Sequence, residues 1–337
     1  MRSRVTALTA AIALAATIAA CGGGDDTKEP ASQQGAAKQA RAQLNGADQP
    51  KASDFPAVQG RTLQEVANTF APSEGQAGLA SSVFSPGHNR LAFGVIDAAQ
   101  KFVYGPSALY IAKTPEDKPV GPIPTPADVL VTDPPYRSKQ AATERDPFAA
   151  VYSATVDLEE PGTWSVLIVT KTGGQMIATP TQIEVAKSTK IPAVGDKAPV
   201  VDTDTTESAG GDIKSIDTRE PPSDMHEQSF KDVVGKKPVA LLFATPQLCQ
   251  SRVCGPVVDI AAQLKQKYGD RVAFIHQEVY VDNVVEKGLR KPLREYHLQT
   301  EPWLFVVGTD GRVKTRLEGS FGLDAFENAL KAGLGSS

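Results

Sequence analysis

Side chains that bind soft metals are scarce in this chain of 337 residues, which has four histidines, three methionines and three cysteines. Copper and zinc sites need several such ligands close together, and the sequence shows no suggestive cluster of them. Lysine and arginine form no block with interleaved aromatics, and the formal net charge is -4. The sequence therefore predicts no metal centre, no bound cofactor and no nucleic-acid partner.

Long hydrophobic runs are also scarce, and the clearest uncharged apolar stretch is Val5–Ala20. It is shorter than the about 20 residues that a membrane-spanning helix needs, and it follows Arg2 and Arg4, as in a secretory signal. Its end, IAAC at Cys21, resembles a bacterial lipobox, whose cysteine becomes lipidated. We therefore predict a lipoprotein signal over residues 1–21 with lipid on Cys21. An ordinary secretory signal is the alternative.

The lipobox implies an extracytoplasmic protein of the bacterial cell envelope, with the membrane as a partner through the lipid anchor. The polar stretch 22–54 lacks apolar periodicity, which predicts a disordered tether. Lipidation of Cys21 would leave Cys249 and Cys254 as the remaining thiols. In an oxidising compartment, such a pair is expected to cross-link where its geometry allows.

Residues 55–187 have the pattern of a β domain, because short segments rich in β-branched and aromatic residues alternate with turn signals. This spacing predicts an antiparallel sandwich. The predicted strands are Leu91–Asp97, Lys101–Gly105, Ser107–Lys113, Ala150–Leu158, Thr163–Thr170 and Thr181–Lys187. The cadence YSATV at Tyr152, followed by PGTW at Pro161, resembles immunoglobulin-like modules of exported bacterial proteins. The loop-rich stretch 115–146 carries no predicted chemistry, and the lone His88 predicts no copper site.

A polar stretch at 188–228 is predicted to be a linker and lead-in segment. Its VGDKAP, Val194–Pro199, resembles the start of peroxiredoxin and thioredoxin-like domains. Residues 229–337 then alternate apolar strands with helical segments in the order βαβαββα. We therefore predict a multi-domain protein, in which an all-β immunoglobulin-like sandwich precedes an α/β thioredoxin-like domain.

The two remaining cysteines lie where the apolar strand Pro238–Phe243 passes into a helix, with four residues between them. Pro256 suits an early helical position, so Cys254 should begin the helix and Cys249 should precede it. Bridging is feasible there, whereas in an unbroken helix the two Cα atoms would lie about 7.5–8.5 Å apart. A helix N-terminus also favours the thiolate, and Arg252 would add positive potential.

The run FATPQLC, which ends at Cys249, and the Glu301–Pro302 step resemble the active-site strand, loop and cis-proline of thioredoxin-like proteins. The resemblance implies that Cys249, Cys254 and Pro302 are catalytic, that the Glu301–Pro302 bond is cis, and that the main chain there docks the partner. Thioredoxins use Cys-x-x-Cys, whereas the four-residue gap resembles the comigratory subgroup of peroxiredoxins. The leading hypothesis is an envelope-anchored thiol–disulfide oxidoreductase that acts on protein thiols or disulfides.

Two other functions stay open, a thiol peroxidase of the comigratory type and a redox-inert binding or scaffold lipoprotein. The peroxidase resemblance implies a threonine three residues before the reactive cysteine, where this chain has Pro246, with Thr245 one residue earlier. Its activating arginine has the candidates Arg290, Arg294 and Arg316. A permanent disulfide over so short a loop would add little stability, which favours a redox role over a structural one.

Four further residues receive ordinary structural interpretations. Trp303 is read as a core aromatic at the start of a strand, and His276 as a strand-edge histidine. Met225 and His226 are read as loop residues. None of the histidines has a spacing to the cysteines that predicts a zinc site.

Overall fold

The computed structural model describes residues 35–143, 146 and 148–335. The predicted signal segment with Cys21, and the first part of the predicted tether, lie outside the described residues. Among the helices that are described, none combines the length and the apolar character needed to cross a membrane.

Eight strands form two antiparallel sheets in the region with the β pattern. These strands are β1 (Gln76–Leu79), β2 (Gly87–Ile96), β3 (Ser107–Ala112), β4 (Val120–Pro124), β5 (Ala127–Val129), β6 (Ala150–Leu158), β7 (Gly162–Thr172) and β8 (Gln175–Val185). The sheets have the orders β1-β2-β6-β5 and β4-β3-β7-β8. Side chains from both sheets, among them Phe93, Tyr152, Ile111 and Ile168, belong to one buried cluster. The region is therefore a two-sheet sandwich, and its immunoglobulin-like character stays a prediction.

Two parts of the sandwich differ from the sequence prediction. The predicted strand Lys101–Gly105 is reduced to a single bridge between Phe102 and Ile96, because the Asp97 carboxylate accepts from the N–H groups of Ala99 and Lys101 and holds a turn there. The loop-rich stretch 115–146 contributes β4 and β5, each at the edge of its sheet. Prolines are tolerated at such edges, since the missing N–H is not needed for pairing.

The end of the predicted tether is folded, contrary to the expected disorder. Helix α1 (Ala36–Ala42) buries three of its alanines, and Leu44 after it is 1% exposed. Asp133 Oδ1 accepts from the N–H groups of Gly35, at 3.2 Å, and Ala36, at 3.0 Å. Alanines give little hydrophobic signal in a sequence pattern, and the acceptor comes from a distant segment, so local reasoning missed this helix.

The C-terminal part has one sheet with helices packed on it. After the short α2 (Leu63–Ala67), the elements are α3 (Phe230–Val233), β9 (Val239–Phe243), α4 (Cys254–Tyr268), β10 (Ala273–Gln277), α5 (Lys291–Glu295), β11 (Trp303–Val307), β12 (Val313–Glu318) and α6 (Leu323–Leu334). The sheet order is β10-β9-β11-β12, with β9 and β10 parallel and the other pairs antiparallel. This is the thioredoxin-like arrangement that the sequence predicted. Every residue of the central strands β9 and β11 is buried, which explains their continuous apolar runs.

The predicted linker at 188–228 is packed against this sheet. The N–H of Gly195 donates to the carbonyl of Val313 at 2.8 Å, and Val201 and Met225 are each 1% exposed. The segment thus carries polar side chains of its second half, among them Asp217 and His226, into the interior. The described residues all belong to one compact unit.

Candidate thiol site

The loop between β9 and α4 holds both cysteines. Cys254 is the first residue of α4 and is fully buried, while Cys249 lies in the preceding loop and is 8% exposed. Both are free thiols. The loop position of Cys249 and the helix-start position of Cys254 agree with the sequence prediction.

Backbone hydrogen bonds turn the loop back towards the helix. The N–H of Cys249 donates to the carbonyl of Thr245 at 3.1 Å, and the N–H of Arg252 donates to the carbonyl of Cys249 at 3.2 Å. Arg252 has a φ of 60°, the left-handed conformation that reverses the chain just before α4. As a result the Cys249 sulfur accepts from the N–H groups of Val253 and Cys254, at the positive end of the helix.

Cys249 has a pKa lowered to about 6. The largest cause is a hydrogen bond from the Cys254 thiol, and burial opposes it. The hydroxyl of Ser251, 3.2 Å from the sulfur, and the two backbone N–H groups also favour the charged form. Cys249 is therefore mostly thiolate at neutral pH, and the thiolate is the nucleophilic form of cysteine.

Cys254 has the opposite shift. Burial raises its pKa well above the usual value, and both the hydrogen bond to Cys249 and the charge on Cys249 raise it further. The backbone N–H of Thr245 partly offsets this effect. In the reduced pair the proton is therefore held by the buried Cys254 sulfur, while Cys249 carries the negative charge.

The Glu301–Pro302 peptide bond is cis, which confirms the prediction made from the sequence. Burial, followed by the charge on Cys249, raises the pKa of Glu301 to about 7. The charge on Glu301 in turn contributes to the raised pKa of Cys254. Sequence reasoning considered only the main chain at this step and missed the carboxyl. The available signal was an acidic residue directly before the predicted cis-proline.

The candidate arginines make other contacts. Arg252 places its guanidinium 5.1 Å from the centre of the Phe148 ring, on the sandwich. Arg290 forms an ion pair with Asp204 at 2.7 Å, Arg316 lies 6.0 Å above the Trp303 ring, and Arg294 donates to the carbonyl of Leu289. The largest causes of the lowered Cys249 pKa are thus thiol, hydroxyl and backbone donors and not an arginine.

Two further residues of the sequence analysis are buried. Trp303 is 1% exposed and stacks on Phe305, as expected of a core aromatic. Thr245 is also fully buried, and its hydroxyl has no hydrogen-bond partner among residues 35–143, 146 and 148–335. A buried hydroxyl that precedes Cys249 by four residues gives no support to a peroxide site.

A cavity of about 920 Å³ opens beside the loop. Its lining includes Ser251, Arg252 and Glu301, and also residues of the sandwich, where Leu79 and Phe102 are 39% and 38% exposed. The sandwich therefore lines a cavity that the loop after Cys249 also lines, a role that the sequence analysis left unassigned.

Two histidines interpreted as ordinary residues are fully buried next to each other. His226 lies in the lead-in segment and His276 in β10, and their ring centroids are 5.1 Å apart. Both rings contact Asp217, which sequence reasoning did not single out. Asp217 and His226 are nine residues apart in a polar loop segment, and His276 lies 50 residues beyond His226, so spacing gave no signal for this cluster.

No protein-family model and no curated protein matches this chain. The solved structures that resemble part of it include two thiol:disulfide interchange proteins. A chain assigned as thiol:disulfide interchange protein DsbE from Chlorobium tepidum is 18% identical, with 43% of this chain and 99% of that chain covered and a TM-score of 0.31. A thioredoxin family thiol:disulfide interchange protein from Chlorobium tepidum TLS is 16% identical, with 32% and 86% covered and a TM-score of 0.26. Similarity at this level does not show what this chain does. The thioredoxin-like arrangement is inferred from the strand order of the sheet instead.

Proposed function

We propose that this protein is a thiol–disulfide oxidoreductase of the cell envelope that acts on protein thiols or disulfides. The observation that carries the proposal is the opposite displacement of the two thiol pKa values, to about 6 for Cys249 and upward for Cys254. Disulfide exchange needs one ionised sulfur that attacks the client and a second sulfur that stays protonated until it resolves the mixed disulfide. Two cysteines that only form a structural disulfide do not need opposite pKa shifts.

In the reducing direction, the Cys249 thiolate attacks one sulfur of a client disulfide. The client S–S bond breaks, a mixed disulfide with Cys249 forms, and the other client sulfur leaves as a thiolate that takes a proton. Cys254 then gives its proton to Glu301 and attacks the Cys249 sulfur, and the second client sulfur leaves as a thiolate that takes this proton from Glu301. The client gains two electrons and two protons, and the protein is left with a Cys249–Cys254 disulfide. An envelope dithiol reduces that disulfide and completes the cycle.

Client docking is proposed at the main chain of Glu301–Pro302 and in the adjoining cavity. Extended segments can pair with exposed main chain, and the apolar wall formed by the sandwich would accept client side chains. Lipid on Cys21 would hold the protein at the membrane, where envelope proteins are its substrates.

Insulin reduction by the full-length protein in detergent, with dithiothreitol as the electron donor, tests the proposal. We expect the wild-type protein to accelerate precipitation of the insulin B chain and Cys249→Ser to fall to the uncatalysed rate. Cys254→Ser should accumulate a mixed disulfide on Cys249, detectable by mass spectrometry, because the resolving sulfur is missing. Cys21→Ser serves as the matched control, since it removes the third cysteine together with the proposed lipid site and should retain the activity.

Two results would count against the proposal. Equal insulin reduction by the wild type and Cys249→Ser would leave the scaffold hypothesis. Peroxide consumption that requires Cys249, without insulin reduction, would favour the peroxidase instead.

A further inference from the structure

A second group of chemically active side chains lies in the interior, formed by Asp217, His226 and His276. All three side chains are completely buried. Nε2 of His226 lies 3.1 Å from Oδ2 of Asp217, and Nδ1 of His276 lies 3.6 Å from the same oxygen. One potential ligand atom from each residue falls within 4.8 Å of the other two. Two segments meet here, the lead-in segment and β10.

The hydrogen bond at the far side of the His276 ring defines which nitrogen carries its proton. Nε2 lies 3.0 Å from the carbonyl of Ala244 and must donate to it, since a carbonyl only accepts. In the neutral ring, Nδ1 then presents a lone pair to the Asp217 carboxylate. Within the described part of the chain this nitrogen has no hydrogen-bond partner. A buried lone pair that faces a buried carboxylate is unfavourable unless a cation lies between them.

The charges around the cluster favour a divalent cation over a single proton. Asp217 accepts from the N–H and the hydroxyl of Ser223, at 2.7 and 2.8 Å, and these neutral donors leave its charge in place. Glu278 is also fully buried and acts electrostatically on His276. The nearby Arg219 is paired with Asp259 at 2.8 Å. One imidazolium would offset one of the two carboxylates, whereas a divalent ion offsets both.

We propose that Asp217, His226 and His276 bind a divalent transition-metal ion, with Zn²⁺ as the best match. Two imidazoles and one carboxylate are a common three-ligand set for zinc. Zinc bonds of about 2.0–2.2 Å place tetrahedral ligand atoms about 3.3–3.6 Å apart, close to the separations found here. A fourth ligand, such as water, would complete the tetrahedral set.

The surroundings of the three ligands support this assignment. Histidines that bind metals donate their second ring nitrogen to a carbonyl or carboxylate, as His276 does to Ala244. Ser223 holds the Asp217 carboxylate in place through two hydrogen bonds. Binding through Nε2 of His226 replaces its hydrogen bond to Oδ2 of Asp217 and moves the ring proton to Nδ1. The site would join the lead-in segment to β10 and to the end of β9.

Metal content and cobalt binding of the full-length protein test the site. We expect about one zinc per chain by plasma mass spectrometry after purification without chelators. The protein stripped with EDTA should develop tetrahedral ligand-field bands with Co²⁺ and should gain thermal stability with Zn²⁺. His276→Gln and His226→Gln should lose the bands. His88→Gln, whose side chain is 83% exposed, is the matched control and should retain them.

Variants at the thiols show whether the metal is held by this cluster or by sulfur. The double variant Cys249→Ser and Cys254→Ser should still bind Co²⁺, and loss of binding there would place the metal on sulfur and overturn the proposal. Absence of bands in the wild type, or their persistence in His276→Gln, would also overturn it. If His276→Gln does not fold, NMR spectra of the wild-type protein test the site instead. Co²⁺ should then shift the ring signals of His226 and His276 and leave those of His88 and His297 unchanged, and any other pattern would overturn the proposal.

Discussion

At the scale of single residues, reactivity at the thiol site depends on one proton shared between two sulfurs. Cys254 donates it, and this hydrogen bond is the largest cause of the lowered pKa of Cys249. Backbone N–H groups at the start of α4 and the Ser251 hydroxyl add to the effect. A thiol 8% exposed therefore becomes the nucleophile, while its fully buried neighbour stays protonated.

Removal of the donor should raise the pKa of Cys249. In Cys254→Ala no side chain donates to the thiolate, so we expect the pKa to move from about 6 towards the ordinary value of about 8.5. Cys254→Ser keeps a hydroxyl donor and should show a smaller increase. The measurement is the alkylation rate of Cys249 by iodoacetamide against pH. It rises with the thiolate fraction and levels off above the pKa, so the Ala variant should level off at the highest pH. Superimposable curves for the three proteins would contradict this account.

At the scale of elements, the start of α4 is positioned by segments that are distant in sequence. The N–H and the hydroxyl of Ser138 both donate to Asp259 Oδ2 at 3.0 Å, and Arg219 pairs with the other oxygen. Gly255, the second residue of the helix, lies directly against Gln140. The loop that follows β5 therefore contacts the turn that presents both cysteines.

A methyl group at position 255 should disturb this contact. A Cβ there would lie 2.5 Å from Cβ of Gln140 and 2.6 Å from its carbonyl oxygen, and main chain cannot move aside easily. We expect Gly255→Ala to lower the free energy of unfolding by about 1–3 kcal/mol, as overpacking does, and to raise the pKa of Cys249 by displacing the helix N-terminus. Denaturant titration and the alkylation profile measure the two effects. Gly78→Ala is the control, because a Cβ there meets no atom within 4 Å. An effect no larger than that of the control would contradict the prediction.

At the scale of the whole molecule, the sandwich packs against the α/β sheet and its helices, and this packing places the loop between β9 and α4 beside the cavity. Tyr152 of the sandwich and Phe326 of α6 belong to the same buried cluster. Asp128 of β5 accepts from the N–H groups of Asp324, at 3.0 Å, and Ala325, at 2.8 Å, at the start of α6. A side chain of the sandwich, Asp128, therefore caps α6, a helix of the C-terminal part.

Loss of this cap should destabilise the sandwich and the C-terminal α/β part together. Asp128→Ala leaves two N–H groups of α6 without their acceptor, and we expect a loss of about 1–2 kcal/mol in the free energy of unfolding. Hydrogen exchange should become faster in both α6 and β5. Asp157→Ala changes an aspartate whose side chain is 69% exposed in the same sandwich and should have little effect. Faster exchange confined to α6 would show that the cap does not couple the layers.

Sequence reasoning succeeded where the information is local. Continuous apolar runs predicted the central strands β9 and β11, Pro256 predicted where α4 begins, and the proline after Glu301 marked the cis bond by resemblance. It was less successful where partners are distant, as with α1, where the N–H of Ala36 donates to Asp133. Sequence reasoning could not predict which of the two sulfurs, Cys249 or Cys254, holds the proton, because this depends on the burial and the direction of each thiol.

The sequence by itself determined the order of strands and helices in the C-terminal region, since periodicity and turn residues act within a few positions of the chain. It also placed Cys249 before a helix and Cys254 at its start. Only the tertiary structure brought Asp217, His226 and His276 together, placed Glu301 near the thiols and set Asp128 against α6. Most of these contacts join positions that are distant in the chain, such as Asp128 and α6, and the packing of sheets and loops decides which of them meet.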